Sequence, residues 1–391
     1  MELIAEQTLK EGVRRWAAVY VVSLTTFAVV TTEMLPVGPI TSIAEALNIS
    51  IGSAGLIVSV PAILAAFFAP FVIIVATDID RRHILAGLLL LLTAANIASA
   101  MAQTFLWLLL ARTAVGICMG GIWAVAGGLA PRLAPTQSVG LATAIIFGGV
   151  AAASVIGVPV GTMIGDAFGW RWAFGAMAVF SAIVLGLSLW VLPCLPVVQS
   201  IRPWQFIAEL KRSSVQFGLL LTGMLVAGHF MAYTFITPAL QTISGVSPEW
   251  IAGLLFIFGL AGIIGNFLLG TIAGKWLGIA LGTIAIGLLT AILGFAALGG
   301  TPAPAISLLV LWGLAYGGVS VTLQSWMMKA APSAIEIATA LFVSVFNIAI
   351  AIGSFIGGQT IDAIGLRATL FISAIFPAVA LLLMQARQWR Y

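Results

Sequence analysis

Charge is scarce in this chain: Asp, Glu, Lys and Arg make up 7% of its 391 residues, while hydrophobic residues make up 62% and the mean hydropathy is +1.19. A water-soluble domain is roughly 45 to 50% apolar, glycine included, so a soluble fold is excluded and the chain reads as a membrane protein. Cysteine is almost absent. Cys118 and Cys194 offer neither a disulfide framework nor a metal-ligand cluster and read as inert packing residues. Also missing are a metal-ligand pair at helical spacing, paired catalytic carboxylates and a Gly-rich strand-loop-helix for phosphate. An intramembrane enzyme is therefore the least expected class, no cofactor or metal is expected, and the energy source should be an ion gradient. Strict polar-apolar alternation over about ten residues, the mark of a membrane β-barrel, is absent too.

What is present is a series of long apolar runs. A spanning helix needs roughly 20 mainly apolar residues, and such runs cover 16–38, 54–76, 84–103, 105–130, 138–164, 170–192, 215–243, 248–274, 277–298, 304–330, 335–361 and 366–386. Basic residues ahead of the first run (Lys10, Arg14, Arg15) could suggest a signal peptide, but the run is too long and is read as a retained helix 1. The net charge of +4 and pI near 9.4 reflect topology rather than nucleic-acid binding. Arg81, Arg82, Arg132, Arg202, Lys211, Arg212, Lys275, Lys329, Arg387 and Arg390 share alternate loops with the N-terminal cluster, leaving Arg171 and Arg367 on the other face. Cytoplasmic loops hold the excess of Lys and Arg, so both termini should be cytoplasmic and the helix count even.

Most connections are short. The exception, Pro193 to Ser214, combines prolines, basic residues and an amphipathic stretch, and reads as a cytoplasmic linker (193–214) between six-helix bundles at 1–192 and 215–391. The halves resemble each other. Residues 141–171 align without a gap on 337–367, matching Gly157 with Gly353, Gly161 with Gly357, and Asp166, Gly169 and Arg171 with Asp362, Gly365 and Arg367. Upstream, Gly116, Gly120, Gly121 and Pro135 face Gly313, Gly317, Gly318 and Pro332. Parallel repeats of this kind are a transporter architecture with the substrate site between the halves near the midplane; nothing reads as a channel selectivity filter.

Four stretches carry a family resemblance: "TTEMLPVG" in helix 1, "LLLARTAVGICMGGIWAVAGGLAPRLAP" in helix 4, "VIGVPVGTMIGDAFGWRWAF" from helix 5 onward and "GHFMAYTFITPALQ" in helix 7. With them the chain resembles the major facilitator superfamily and its drug/proton antiporter-1 branch, most nearly the bacterial sugar efflux transporters and purine ribonucleoside efflux pumps. The resemblance implies an all-α fold of twelve transmembrane helices in two pseudo-repeats, a bacterial inner-membrane location, a monomer, and efflux of a small molecule against entering protons. It also implies gating by the loop between helices 2 and 3. That loop, "ATDIDRRHIL", keeps Arg81 and Arg82 with acids at Asp78 and Asp80, but Asp80 replaces the family's glycine. A solvated loop that satisfies the charge rule is the competing reading. Gly157, Gly161 and Gly165 on helix 5 and Gly262, Asn266 and Gly270 on helix 8 form small-residue ladders that could pack the two helices together as a leak seal, with Pro159 kinking helix 5.

Ionisable residues inside the spans, costly in hydrocarbon, are the candidate functional groups: Glu33, Arg112 and His229. Neutralising a carboxyl of pKa near 4.3 at pH 7 costs about 3.7 kcal/mol, and an ionised acid at mid-helix costs roughly 2.5 to 3.5 kcal/mol on insertion scales. These costs are comparable, so hydration or a partner could tip the proton on or off Glu33, as suits a proton carrier; the alternative is an interfacial acid bonding loose backbone beside Pro36. Arg112, always charged, reads as the partner of Glu33 or as a hydrogen-bond hub. His229, Tyr233 and Thr237 fall at four-residue steps on helix 7, and Tyr316, Ser320 and Gln324 on helix 10. Ser344, Asn347 and Ser354 lie on helix 11, with Trp123 and Trp326 as further aromatics. Such stripes line either a wet cavity or helix-helix hydrogen bonds. As a cavity they would suit a hydroxyl-rich ligand such as a sugar or nucleoside, or an amphipathic drug. Proton-coupled efflux leads; uptake by symport or facilitation, and a non-transporting membrane sensor, are the competitors.

Overall fold

The computed structural model describes residues 2–75, 79–126, 129–135, 138–195 and 203–388, and among these every regular element is a helix. Twelve are long and apolar enough to cross a membrane: α1 (Arg15–Val37), α2 (Ile51–Val72), α3 (Arg81–Ala100), α4 (Phe105–Ala126), α5 (Leu141–Phe168), α6 (Trp170–Val191), α7 (Ser213–Tyr233), α8 (Pro248–Lys275), α9 (Leu277–Leu298), α10 (Pro302–Ala330), α11 (Ile337–Ile364) and α12 (Leu366–Ala386). The even count places the start of α1 and the end of α12 on one side, the terminal face; loops after odd-numbered helices lie on the opposite, distal face. Between α6 and α7 a short helix, Pro203–Leu210, forms within the connecting segment. Two hydrophobic clusters organise the bundle, one built from Ala18 to Leu195 with Phe235 added, the other mainly from Val215 to Ala380.

Glycines set the packing, and they do so twice. On α4, a Cβ at Gly116 would stand 2.4 Å from the Pro61 carbonyl and one at Gly120 2.7 Å from the Ala65 carbonyl, so α4 lies backbone-close on α2. Their repeat partners on α10, Gly313 and Gly317, meet the carbonyls of Phe258 and Gly262 on α8 at 2.5 and 1.9 Å. Likewise Gly157 and Gly161 of α5 press on Thr31 and Leu35 of α1, while Gly353 and Gly357 of α11 press on the Ala227 and Met231 carbonyls of α7. The turns agree as well. Gly169 and Gly365, with φ of 94° and 92°, make the sharp α5–α6 and α11–α12 corners in a region where only glycine is unstrained.

Helices α5 and α8 pack together as expected, but not through the glycine ladders. Gly157 and Gly161 face the Thr31 and Leu35 side chains of α1, and Gly262, Gly265 and Gly270 face α10. Helices α5 and α8 do meet, through Gly259 against the Ser154 carbonyl. Ser154 belongs to a π turn, Ala153–Gly157, directly ahead of Pro159; the kink expected at Pro159 takes this form, since proline supplies no N–H to the preceding turn. Of the cysteines, Cys118 packs as expected, with its thiol 3.2 Å from the Leu88 carbonyl. Cys194 does not: it is exposed, because α6 ends at Val191 and the chain leaves the bundle there.

Prolines also orphan carbonyls, and Arg112 collects them. Pro36 cannot donate to the Thr32 carbonyl four residues back, nor Pro61 to the Ile57 carbonyl, and hydrocarbon supplies no water in their place. The fully buried Arg112 guanidinium donates Nη1 to the Thr32 carbonyl at 2.8 Å, Nε to Ile57 at 3.1 Å and Nη2 to Glu33 at 3.0 Å. The Glu33 carbonyl lies where the α-helical ladder of Glu2–Met34 gives way to the 3-10 turn Leu35–Val37. One planar fork thus clasps α1 and α2 at their breaks.

Three outcomes follow for stability. Gly317→Ala, whose new methyl meets backbone, should lower the melting temperature in detergent by the equivalent of about 1–3 kcal/mol of overpacking. Gly186→Ala, in open space on α6, should be neutral or slightly stabilising. Arg112→Lys should also destabilise, since an ammonium cannot bridge carbonyls on two helices, by about 1–3 kcal/mol for each carbonyl left bare. That penalty should shrink in a Pro36→Ala background, where residue 36 regains its own N–H; strictly additive losses would refute the clasp.

Candidate functional site

Two unlike groups of side chains meet between the clusters. On the N-terminal side the break in α1 fixes Glu33, 5% exposed, in the last turn of the regular helix. Its carboxylate makes no ion pair or hydrogen bond with Arg112, whose fork is committed to carbonyls, although the guanidinium charge is near enough to act on it. Behind them, Asn96 donates Nδ2 to the Thr32 hydroxyl at 3.1 Å, while its own Oδ1 is buried without a partner. The partner role foreseen for Arg112 is therefore not made by contact in this conformation; the hydrogen-bond hub is.

On the C-terminal side stands a column of rings. His229 lies 3.3 Å from Tyr316, planes 7° apart, and 4.8 Å from Tyr233, planes 19° apart; Tyr233 continues onto Phe258 at 4.6 Å. Trp312 approaches His229 edge-on and donates its indole N–H to Nδ1 at 2.9 Å. Indole nitrogen is a donor only, so Nδ1 accepts and the imidazole proton sits on Nε2. An imidazolium would need a proton where the indole N–H already points. Tyr316 is within electrostatic reach of Glu33, and Met34 packs against the C-terminal cluster, which brings acid and ring column to the same place.

The other candidates separate. Thr237 is buried but leaves the column: its hydroxyl donates to the Val37 carbonyl at 2.9 Å, across the halves. Asn347 donates to the Val343 carbonyl of its own helix at 2.9 Å and keeps a buried, unpartnered Oδ1. Ser320 is exposed and Gln324 half-buried. Trp123 packs on Phe147 of α5 at 5.9 Å. Ser354 of the helix 11 stripe and the aromatic Trp326 make helix-helix bonds: Ser354 with Thr234 at 2.7 Å, and Trp326 with the Ser214 carbonyl at 2.9 Å.

In the loop between α2 and α3, Asp78 lies outside the described residues. Asp80 caps α3, accepting from the Arg82 N–H at 2.8 Å, and holds the Leu195 N–H at 2.9 Å. The Arg82 side chain donates to the Leu189 carbonyl, and the Arg81 N–H to the Leu195 carbonyl at 3.0 Å. The Asp80 carboxylate thus ties the loop to the end of α6, in its own half. Trp312, Phe258 and Asn96 were not among the sequence candidates. Extending the Tyr316 stripe one step backwards reaches Trp312, and extending the Gly262 ladder one step backwards reaches Phe258; Asn96 carries no spacing signal.

With this geometry in hand, the likenesses to known proteins are consistent. The Major Facilitator Superfamily profile matches residues 20–336. The purine ribonucleoside efflux pump NepI of Salmonella paratyphi A (strain ATCC 9150 / SARB42) is 32% identical over 391 residues, 99% of this chain and 98% of that protein; the Salmonella typhi pump gives the same identity and coverage. Among solved structures, a bacterial homolog to the human lysosomal transporter Spinster, inward-facing and unoccupied, superposes with a TM-score of 0.73 over 95% of this chain and 96% of that one at 15% identity. The human organic anion transporter MFSD10 (TETRAN) follows at 0.68, 17% identity, and 95% and 99% coverage. Twelve apolar spans, a twice-used glycine packing scheme and full-length likeness to an efflux pump lead to one statement: the chain belongs to the major facilitator superfamily and is a multi-pass membrane transporter.

Proposed function

We propose that this transporter exports purine ribonucleosides or close relatives across the bacterial inner membrane in exchange for protons, as a monomer whose bundles, 1–192 and 215–391, rock about the central site with 193–214 as cytoplasmic linker. The observation that carries this reading is the placement of Glu33, a buried acid with no ion partner, beside a neutral column of aromatic rings, in a chain similar over its full length to a purine ribonucleoside efflux pump. Aromatic faces suit a planar base, and an Nε2–H fixed by Trp312 is a donor suited to an acceptor on base or ribose. The terminal face would be cytoplasmic, in accord with its excess of Lys and Arg.

In this scheme ionised Glu33 favours substrate entry from the cytoplasm. Protonation from outside accompanies release, and the neutral acid lets the bundles return. Arg112 holds the α1 break that aims the carboxyl, and its fixed charge acts on Glu33 from a distance. His229, locked as a hydrogen-bond acceptor at Nδ1, serves binding rather than proton carriage.

In proteoliposomes with an imposed proton gradient, Glu33→Gln should abolish gradient-driven inosine or guanosine transport and substrate-linked proton movement while sparing counterflow; coupling intact in the mutant rejects the carrier role. Purified protein should be stabilised thermally by purine nucleosides and less by sugars. Tyr316→Ala should lower nucleoside affinity by about tenfold, the scale of one base-aromatic stack; sugar binding unaffected by that change, with no nucleoside response in either protein, would overturn the substrate assignment.

A further inference from the structure

Three hydrogen bonds join the two bundles on the distal face, and the transport reading above gives them no role except as closure. Thr237 donates to the Val37 carbonyl. Phe235, fully buried, projects from the break after α7 into the N-terminal cluster, its ring filling the space where a Cβ on Gly55 would stand. The third contact is a pair of hydrogen bonds to a carboxylate. At the start of α2 the Ser50 hydroxyl donates to Asp362 Oδ2 at 2.6 Å, and the Gly52 N–H to Asp362 Oδ1 at 3.1 Å, so both oxygens of one α11 carboxylate are held by the opposite bundle. The fit is made by missing side chains: a Cβ at Gly52 would be 2.2 Å from the Gly358 carbonyl, and one at Gly358 2.3 Å from the Gly52 carbonyl.

The repeat makes this contact singular. Asp166 aligns with Asp362 at the same place in the duplicated unit, yet Asp166 is exposed and none of the described hydrogen bonds uses its side chain. Aligning Ser50 with Ser247, which likewise precedes the first turn of its helix, puts Glu249 where Gly52 stands. An acid facing Asp166 there would repel it and carry a side chain where the other pair has none. Duplication supplied two carboxylates, and the partner sequence leaves one able to dock.

We propose that Asp362, docked on Ser50 and Gly52, is the latch that holds the distal gate shut, and that opening the site to the distal side requires this carboxylate to leave α2. Val37, Thr237 and Phe235 fill the gate; Asp362 sets how firmly it closes. The inference rests on the alternating-access reading, and the test separates the two.

Spin labels at Met101→Cys and Leu298→Cys, exposed sites at the distal ends of α3 and α9 in opposite bundles, would be placed in a Cys194→Ser background and the protein studied in lipid nanodiscs by pulsed dipolar spectroscopy. Asp362→Ala should raise the ratio of the long-distance to the short-distance population about tenfold, the weight of a charge-assisted hydrogen bond, and Ser50→Ala about threefold. Asp166→Ala should leave it unchanged. Should Asp362→Ala fail to fold, Ser50→Ala, which removes one hydroxyl, carries the test alone. If the Asp362 and Ser50 variants match the parent while inosine or a pH step still moves the parent distances, the latch is wrong and rocking stands. An equal shift in Asp166→Ala also overturns the latch. If neither variant nor ligand moves any distance, latch and alternating access fall together.

Discussion

A carbonyl buried among lipid-facing helices has no water to turn to, and this one constraint shapes the centre of the protein. Pro36 and Pro61 remove backbone donors from α1 and α2, and Arg112 supplies replacements from α4. The arrangement exchanges self-contained helical hydrogen bonds for bonds that exist only when three helices are correctly placed. It also explains how a permanent cation is tolerated at complete burial: each nitrogen of its fork has an acceptor. Because Glu33 sits on the turn that the fork secures, the position of the acid is inherited from backbone hydrogen bonding.

The two bundles share packing but not chemistry. Glycine seams join α4 to α2 and α10 to α8, α5 to α1 and α11 to α7, and paired positive-φ glycines turn the same corners. Upon this common frame the N-terminal bundle carries the buried charges, Glu33 and Arg112, and the C-terminal bundle carries the stacked rings around His229. Backbone contact tolerates no side chain larger than hydrogen, so the seams stay alike in both halves. The surfaces facing the centre are under no such steric rule and are free to differ. The same divergence separates Asp362, which finds Ser50 and Gly52 opposite, from Asp166, which does not.

The sequence alone determined the class, the even helix count, the duplication and the span positions, except that the seventh span stops at Tyr233 rather than at 243. These properties depend on local composition or on comparison of the chain with itself. It also marked Glu33, Arg112 and His229, because an ionisable residue within an apolar run is visible without knowing its neighbours. Tertiary structure decided who meets whom. That Gly157 serves α1 rather than α8, that Arg112 grips carbonyls of residues 32, 33 and 57 instead of a carboxylate, that Trp312 fixes the His229 proton and that Asp80 ties its loop to α6 all turn on atoms distant in sequence. Helical periodicity tells which face a residue occupies and is silent about the helix opposite that face; in a bundle of twelve, only the folded arrangement supplies the partner.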